Sequence, residues 1–411
     1  MSLHGADVRT VGDNRLSLWL TFAVLLCAVL YGLLVAGDYA LAKYRSYLGK
    51  TIVSEPGRIE DKRVDEEDLP QRDIAIAQGF KTELYPDAVD MYPALADLAR
   101  KLGVAPLAPQ PRTRLIHGNE GYGMVTYTTD RFGFRNADGL WDEKSIDLVL
   151  IGDSFTHGCC VRDGESFAAS LASQLKVLNL GTASNHPIHY AALAKIFVRH
   201  IKPKFVALVF YANDNGAGDQ RSIFYEQYFL NEVPYFDPAS TDRLDLSDGL
   251  KRFYAESGPI VQELLDEDAP VAEPRGFFER GNILVRAKPY LSLTNVRFEL
   301  SRLTAMPRLI PGPAFSSKLA IDTLIEACRS SGCRPIVVYI PNSEFWRPDA
   351  YAASYARSLA AYSKERGLRF VDTTDALRAI GEASYAPKGP HLSPEGNRRV
   401  ASAILAALAD G

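Results

Sequence analysis

The chain has 411 residues, of which 47% are hydrophobic and 23% charged, enough apolar content to bury one large core or two domains. Its 46 Lys and Arg against 50 Asp and Glu give a formal net charge of -4. No basic block stands out, which excludes nucleic acid as a partner on electrostatic grounds.

Residues 1–15 read as an N-terminal tail. Leu16 to Ala36 follows, 21 residues without a charge or a proline. A helix of that length spans roughly 30 Å, about one hydrocarbon core. Trp19 and Tyr31 lie near its ends, as interfacial aromatics do. A transmembrane helix is the preferred reading. A cleaved signal peptide competes with it, because Ala40-Leu41-Ala42 resembles a cleavage site. The apolar run, however, exceeds the roughly 7–15 residues of a signal core. A buried core helix is the third reading. Arg9 and Arg15 precede the span, while Lys43, Arg45 and Lys50 follow it, so flanking charge does not fix its orientation.

Residues 37–145 read as a stalk and a small accessory segment. Gly57 to Arg72 is densely charged and fits a solvated linker or helix face. Residues 84–103 have helical spacing, with Met91, Leu95, Leu98 and Leu102 on one side. Tyr122 to Phe134 is rich in Tyr, Thr and Val and predicts a β-hairpin turning at Asp130-Arg131-Phe132-Gly133.

From residue 146 to 411 the pattern alternates between strands and helices. Strands are predicted over 146–151, 177–180, 204–210, 334–340 and 368–371. Helices are predicted over 164–175, 189–200, 316–330, 350–366 and 393–409. Such alternation implies crossovers and a parallel sheet, an α/β fold. Residues 216–313 break the rhythm; they are too long for a plain loop and predict an insertion that covers or borders the active-site rim. Cys328 and Cys333 have a spacing that fits a small disulfide loop, although free, small core cysteines are the blander reading of all five.

Four residues fall at the carboxyl ends of predicted strands, where open α/β folds place their ligands. Ser154, in Gly152-Asp153-Ser154-Phe155-Thr156-His157-Gly158, is a candidate nucleophile; a helix N-cap is its bland alternative. Gly181 lets a backbone N–H approach a ligand, or simply ends a strand. Asn213, in Tyr211-Ala212-Asn213-Asp214, can donate its amide to an oxyanion, or sit in a turn. His391 precedes Ser393-Pro394-Glu395, a good helix start, and is a candidate general base. His186 and His189 lie just after Gly181, where they are candidate substrate contacts. His157, Cys159 and Cys160 are too closely spaced for an ordinary zinc site, so no metal and no cofactor is expected.

Taken together, GDSFTHG at 152–158, NLG at 179–181, YAND at 211–214 and HLSPEG at 391–396 resemble the SGNH, or GDSL-type, hydrolase superfamily. The likeness covers roughly 146–215 and 314–411. It implies a flavodoxin-like three-layer fold and ester hydrolysis or acyl transfer. It also implies Ser154 as nucleophile, His391 as base, and an oxyanion hole from the Ser154 N–H, the Gly181 N–H and the Asn213 amide. Two positions depart from the family pattern. Tyr211 stands where a Gly is usual. Lys388 and Gly389 stand where an Asp usually orients the histidine. A backbone carbonyl, Asp372 or Asp375 is a candidate replacement for that acid, and an impaired enzyme is the remaining reading.

The expected activity is that of an esterase or O-acyltransferase acting on O-acyl groups of a cell-surface carbohydrate. It would be held at the membrane through Leu16–Ala36, with the catalytic domain periplasmic or extracellular. A lipase or lysophospholipase, or a non-catalytic glycan-binding protein, are the alternatives.

Overall fold

In the computed structural model, residues 11–47, 69–215, 235–238, 244–268, 293, 296, 313–342 and 350–409 are described. The chain divides into two compact units: residues 1–52 with 270–307, and residues 53–269 with 308–411.

The first unit contains one long helix, α1 (Val11–Tyr47). Its segment Leu18–Leu41 is apolar, long enough to cross a membrane and not buried within the chain. That exposure removes the core-helix reading. A membrane span and a signal sequence both pass the test of length and composition.

The second unit opens with α2 (Leu69–Ala77) and a small sheet of β1 (Lys81–Thr82), β2 (Arg114–Gly118) and β3 (Val125–Thr128). The helices α3 (Ala88–Met91) and α4 (Pro93–Leu102) lie between β1 and β2. β1 pairs parallel with β2, and β2 antiparallel with β3. The expected hairpin is therefore displaced toward the N-terminus: its turn is 119–124, not Asp130–Gly133. The latter is a separate turn, in which the Gly133 N–H donates to the Asp130 carbonyl. The register slips between Ile116 and Gly118, a bulge at His117 of the kind that re-aims a side chain.

The main sheet has five parallel strands: β4 (Leu148–Ile151), β5 (Val177–Asn179), β6 (Phe205–Tyr211), β7 (Arg334–Ile340) and β8 (Arg369–Asp372). Their order is β5-β4-β6-β7-β8. β4 and β6 are apolar on both faces, as strands covered by helices on two sides must be. The helices of this part of the chain are α5 (Ser154–His157), α6 (Phe167–Ala172), α7 (Pro187–Ile201), α8 (Asp248–Asp268), α9 (Phe315–Ser331), α10 (Ala350–Glu365), α11 (Thr374–Arg378) and α12 (Pro394–Ala409). α9 packs on α7, and α12 on α6. The buried Asn397 Oδ1 accepts the Phe167 N–H at 2.9 Å, tying α12 to the start of α6. The chain passes from β4 to β5 on one side and then crosses to β6 on the other, so the carboxyl ends of β4 and β6 flank a topological switch point.

Cys328, in the last turn of α9, and Cys333, just before β7, form a disulfide. Part of the predicted insertion is described. Phe236 and Leu246 bridge, and α8 packs on α4 with Tyr254 donating its hydroxyl to the Ala108 carbonyl at 2.7 Å. The rest of that insertion, and residues 48–68 of the predicted stalk, lie outside the described residues.

Candidate active site

β4 runs into Gly152-Asp153-Ser154 with no intervening loop. Gly152 is required by packing, since a Cβ there would lie 2.1 Å from Thr156 Oγ1. Asp153 caps α5 by accepting the Phe155 N–H at 2.9 Å, so Ser154 is the first residue of the helix and not its cap. The Ser154 N–H belongs to the first turn, whose donors have no partner inside a helix. Burial pushes the Asp153 carboxyl up to about 7, against the opposing pull of the Phe155 N–H and His391.

Ser154 Oγ lies 2.8 Å from His391 Nε2, and His391 Nδ1 lies 2.6 Å from Glu120 Oε1. The His391 backbone N–H donates to the other carboxylate oxygen, Oε2, at 3.2 Å. Glu120 therefore holds the ring and the backbone of the same residue. The acid comes from the accessory segment, 271 positions from the histidine. Burial alone disfavours the imidazolium, but the neighbouring Cys159 and Glu120 outweigh it and raise His391 to about 10.

The turn that carries Glu120 is built for the task. Asn119 Oδ1 accepts the N–H groups of Gly121 and Gly123, at 2.8 and 2.9 Å. The Lys388 N–H donates to the Glu120 carbonyl at 3.0 Å, joining this turn to the histidine loop. Gly389 completes the fit: a Cβ there would lie 2.3 Å from Glu120 Cδ. The Glu120 carboxyl group thus occupies the space that a side chain at 389 would fill. This corrects the expected replacements. Asp372 instead accepts the Thr374 N–H at 2.9 Å, and Asp375 pairs with Arg378 on the surface. No backbone carbonyl is needed at His391 Nδ1.

The remaining expected residues divide. Asn213 follows β6 and is exposed, next to the strand that carries Ser154, and its side chain makes no hydrogen bond among the described residues. Beneath it, Asp214 is buried, accepting the Tyr190 hydroxyl at 3.0 Å and the Tyr211 N–H at 2.9 Å. Tyr211, at the position where the family has Gly, stacks on Phe155 with ring centroids 3.8 Å apart. The Gly181 N–H donates to Asn179 Oδ1 at 2.9 Å. Gly181 is small because a Cβ would lie 2.5 Å from Thr156 Cβ, so it lets β5 abut α5. His189 is wholly buried, and its Nδ1 accepts the His186 N–H at the start of α7. Burial, then the neighbouring His186, lowers the His189 pKa well below the usual imidazole range. His186 is buried beside His189, the two rings 4.1 Å apart.

Behind the triad lies a second buried polar group. Tyr127 donates its hydroxyl to Glu83 Oε1 at 2.9 Å, and His117 Nδ1 lies 3.3 Å from Glu83 Oε2. The His157 ring packs edge-on to His117 and Tyr127, and its Nδ1 accepts the Ala183 N–H at 3.3 Å. This joint holds the three-stranded sheet, and with it the Glu120 turn, against α5.

A serine, a histidine and a carboxylate in hydrogen-bonded series, at the carboxyl edge of a parallel sheet, is the arrangement of an α/β serine hydrolase. Residues 150–399, more than half of the chain, match the GDSL-like lipase/acylhydrolase family, and the chain belongs to that family of ester-bond hydrolases. No curated protein matches the chain. Among solved structures, it is similar to LAE5, an α/β hydrolase from the metagenome of Lake Arreo, at 19% identity and a TM-score of 0.32, covering 66% of this chain and 98% of that one. It is similar to a member of the lipolytic G-D-S-L family from Veillonella parvula, at 12% identity and a TM-score of 0.32, covering 64% and 99%. It is also similar to a catalytic mutant of Axe2, an acetylxylan esterase from Geobacillus stearothermophilus, at 14% identity and a TM-score of 0.30, covering 64% and 93%.

Proposed function

We propose that this hydrolase is a serine esterase with Ser154 as nucleophile, His391 as general base and Glu120 as orienting acid, acting on O-acyl groups of a carbohydrate at the cell envelope. The observation that carries the mechanism is the unbroken series of 2.8 and 2.6 Å contacts from Ser154 Oγ through both His391 ring nitrogens to Glu120. In it, Ser154 Oγ attacks the ester carbonyl as Nε2 takes the hydroxyl proton. Glu120 stabilises the imidazolium so formed. The Ser154 N–H and the Asn213 amide receive the oxyanion. The imidazolium then returns its proton to the departing alkoxide, leaving an acyl-serine. Water, activated by the same imidazole, releases the acid and regenerates Ser154. An acceptor hydroxyl in place of that water gives acyl transfer with identical residues.

The apolar segment Leu18–Leu41 supports placement at a membrane, and the Cys328–Cys333 disulfide supports an oxidising compartment for the hydrolase unit. An envelope carbohydrate is the acyl-bearing polymer in reach of such a site.

The test is hydrolysis of p-nitrophenyl acetate and of acetylated polysaccharide by the intact chain and by Ser154→Ala. The variant is expected to lose hydrolysis and labelling by a fluorophosphonate probe; equal rates would overturn the serine mechanism. Hydrolysis of long-chain esters without release of acetate from the polysaccharide would replace the carbohydrate reading with a lipase.

A further inference from the structure

Cys159 and Cys160 lie just past α5, beyond Gly158, and in the sequence only His157 is clustered with them. The fold supplies further ligands. Glu120 arrives from the β2–β3 turn and His391 from the loop before α12. One ligand atom from each of Glu120, Cys159, Cys160 and His391 lies within 4.8 Å of the others, and all four residues are buried. The left-handed backbone at Cys160 (φ 63°) turns the two sulfurs to the same side, 2.7 Å apart. Cys159 is also a hydrogen-bonding neighbour of His391.

We infer that Glu120, Cys159, Cys160 and His391 Nδ1 form a binding site for a thiophilic divalent cation such as zinc, and that its occupation switches the hydrolase off. Two thiolates, one imidazole and one carboxylate are a tetrahedral donor set that suits a d¹⁰ ion. A Zn–S bond of about 2.3 Å requires the sulfur pair to open, and both thiols sit in the turn 158–160 that follows α5. Among the described residues, Glu120 has no cationic partner other than His391. A bound dication therefore replaces the imidazole proton as its counter-charge.

The effect on catalysis follows from the histidine tautomer. A metal on Nδ1 takes that nitrogen's lone pair, so the ring's remaining proton resides on Nε2. Nε2 is the atom 2.8 Å from Ser154 Oγ. It then donates to the serine and can no longer accept its proton. Glu120 is drawn to the metal at the same time. Binding releases the two thiol protons and the Nδ1 proton of the imidazolium to solvent, and the one ring proton left is on Nε2. The spacing His157, Cys159, Cys160 discourages a zinc site when read alone, because half of the donor set lies on distant elements.

The inhibitory part of this inference rests on the proposed triad; the binding part does not, and the experiment separates them. The full chain in detergent, reduced with a non-chelating phosphine and stripped with EDTA, is titrated with cobalt(II) chloride as a spectroscopic probe. The expected result is one equivalent bound, with thiolate-to-cobalt charge-transfer bands and tetrahedral ligand-field bands. Zinc chloride is expected to displace the cobalt, to abolish fluorophosphonate labelling of Ser154 and to stop p-nitrophenyl acetate hydrolysis, all restored by EDTA. Cys160→Ser is expected to keep metal-free hydrolysis. Its loss of cobalt affinity should exceed the roughly 10–100-fold that removing an outer-shell partner costs. Cys160→Ala serves as the second variant, with circular dichroism confirming the fold of each. Absence of stoichiometric binding overturns the site, as do thiolate bands or zinc inhibition that survive both variants. Cysteine-dependent binding that leaves fluorophosphonate labelling intact overturns the switch.

Discussion

Glu120 spends both carboxylate oxygens on His391, one on the ring and one on the backbone N–H, so a change at this position acts on orientation and on charge together. Glu120→Gln keeps the size but puts the wrong group opposite Nδ1. Loss of the acid from a Ser-His-acid series lowers kcat by about 10⁴, while catalysis above background survives. A fall of that order in kcat/KM, with fluorophosphonate labelling slowed but detectable, is expected for Glu120→Gln. The pH profile carries the sign. His391 serves as a base only when neutral, and its pKa lies at about 10, above the ordinary 6.5. In EDTA-treated protein, kcat/KM is therefore expected to keep rising with pH beyond neutrality toward about 10. Glu120→Gln removes one of the two groups that favour the imidazolium, so its profile should level off at lower pH, at a lower plateau. A wild-type profile that is flat above pH 7 contradicts this. The sequence singles out Ser154 and Asn213 because each directly follows a strand in a short, patterned block, and His391 because it precedes a well-marked helix start. It does not single out Glu120: its partner is 271 residues away, and only the absence of a side chain at Gly389 signals that an outside group must fill the gap. A strand-end glycine such as Gly181 looks the same in sequence whether it serves a ligand or makes room for a neighbouring helix, and here its missing side chain makes room for α5.

At the scale of elements, the active site depends on the fit between two loops, the 119–124 turn and the 386–391 segment. Gly389 sits at φ 132°, in a region that side chains avoid, and a Cβ there collides with the Glu120 carboxyl. Gly389→Ala is expected to displace Glu120 and lower kcat with KM little changed. The melting temperature should fall modestly, because the strain is confined to one turn; steady-state kinetics and thermal unfolding read the two effects separately. The joint behind the triad behaves differently. Tyr127→Phe leaves Glu83 Oε1 without its 2.9 Å hydroxyl donor in a fully buried place. Leaving a buried polar group unpaired costs about 1–3 kcal/mol. A loss of that size in urea unfolding is expected, with Ser154 labelling retained under native conditions. The five main strands were readable to within a residue or two because each is a short apolar run between turn signals. The hairpin was displaced because the bulge at His117 breaks its alternation, and the alternating stretch that follows it extends past β3 into a separate turn.

On the scale of the whole molecule, the family's sheet carries the proposed nucleophile and base, and a segment preceding it brings the carboxylate that meets His391. In the proposed mechanism residues 69–128 therefore belong to the catalytic apparatus, since their β2–β3 turn brings Glu120 to His391. The first unit makes its own claim. A 24-residue apolar stretch, unburied within the chain, fits a permanent anchor or a signal sequence, and the two have different products. An anchor leaves α1 in the mature protein and binds the chain to the bilayer; cleavage after Ala42 releases it. The expected outcome in a bacterial host is a chain of full mass in the membrane fraction, resistant to carbonate extraction and solubilised by detergent. Cys328 and Cys333 are joined in the hydrolase unit, and such bonds persist where thiols are oxidised. Proteinase added to spheroplasts is accordingly expected to digest the hydrolase unit, and maleimide to label Cys328 and Cys333 only after reduction of the denatured chain. Protection from proteinase until the inner membrane is lysed would place the site in the cytoplasm. An envelope carbohydrate would then be out of reach of Ser154, and the substrate reading would fall while the triad stood.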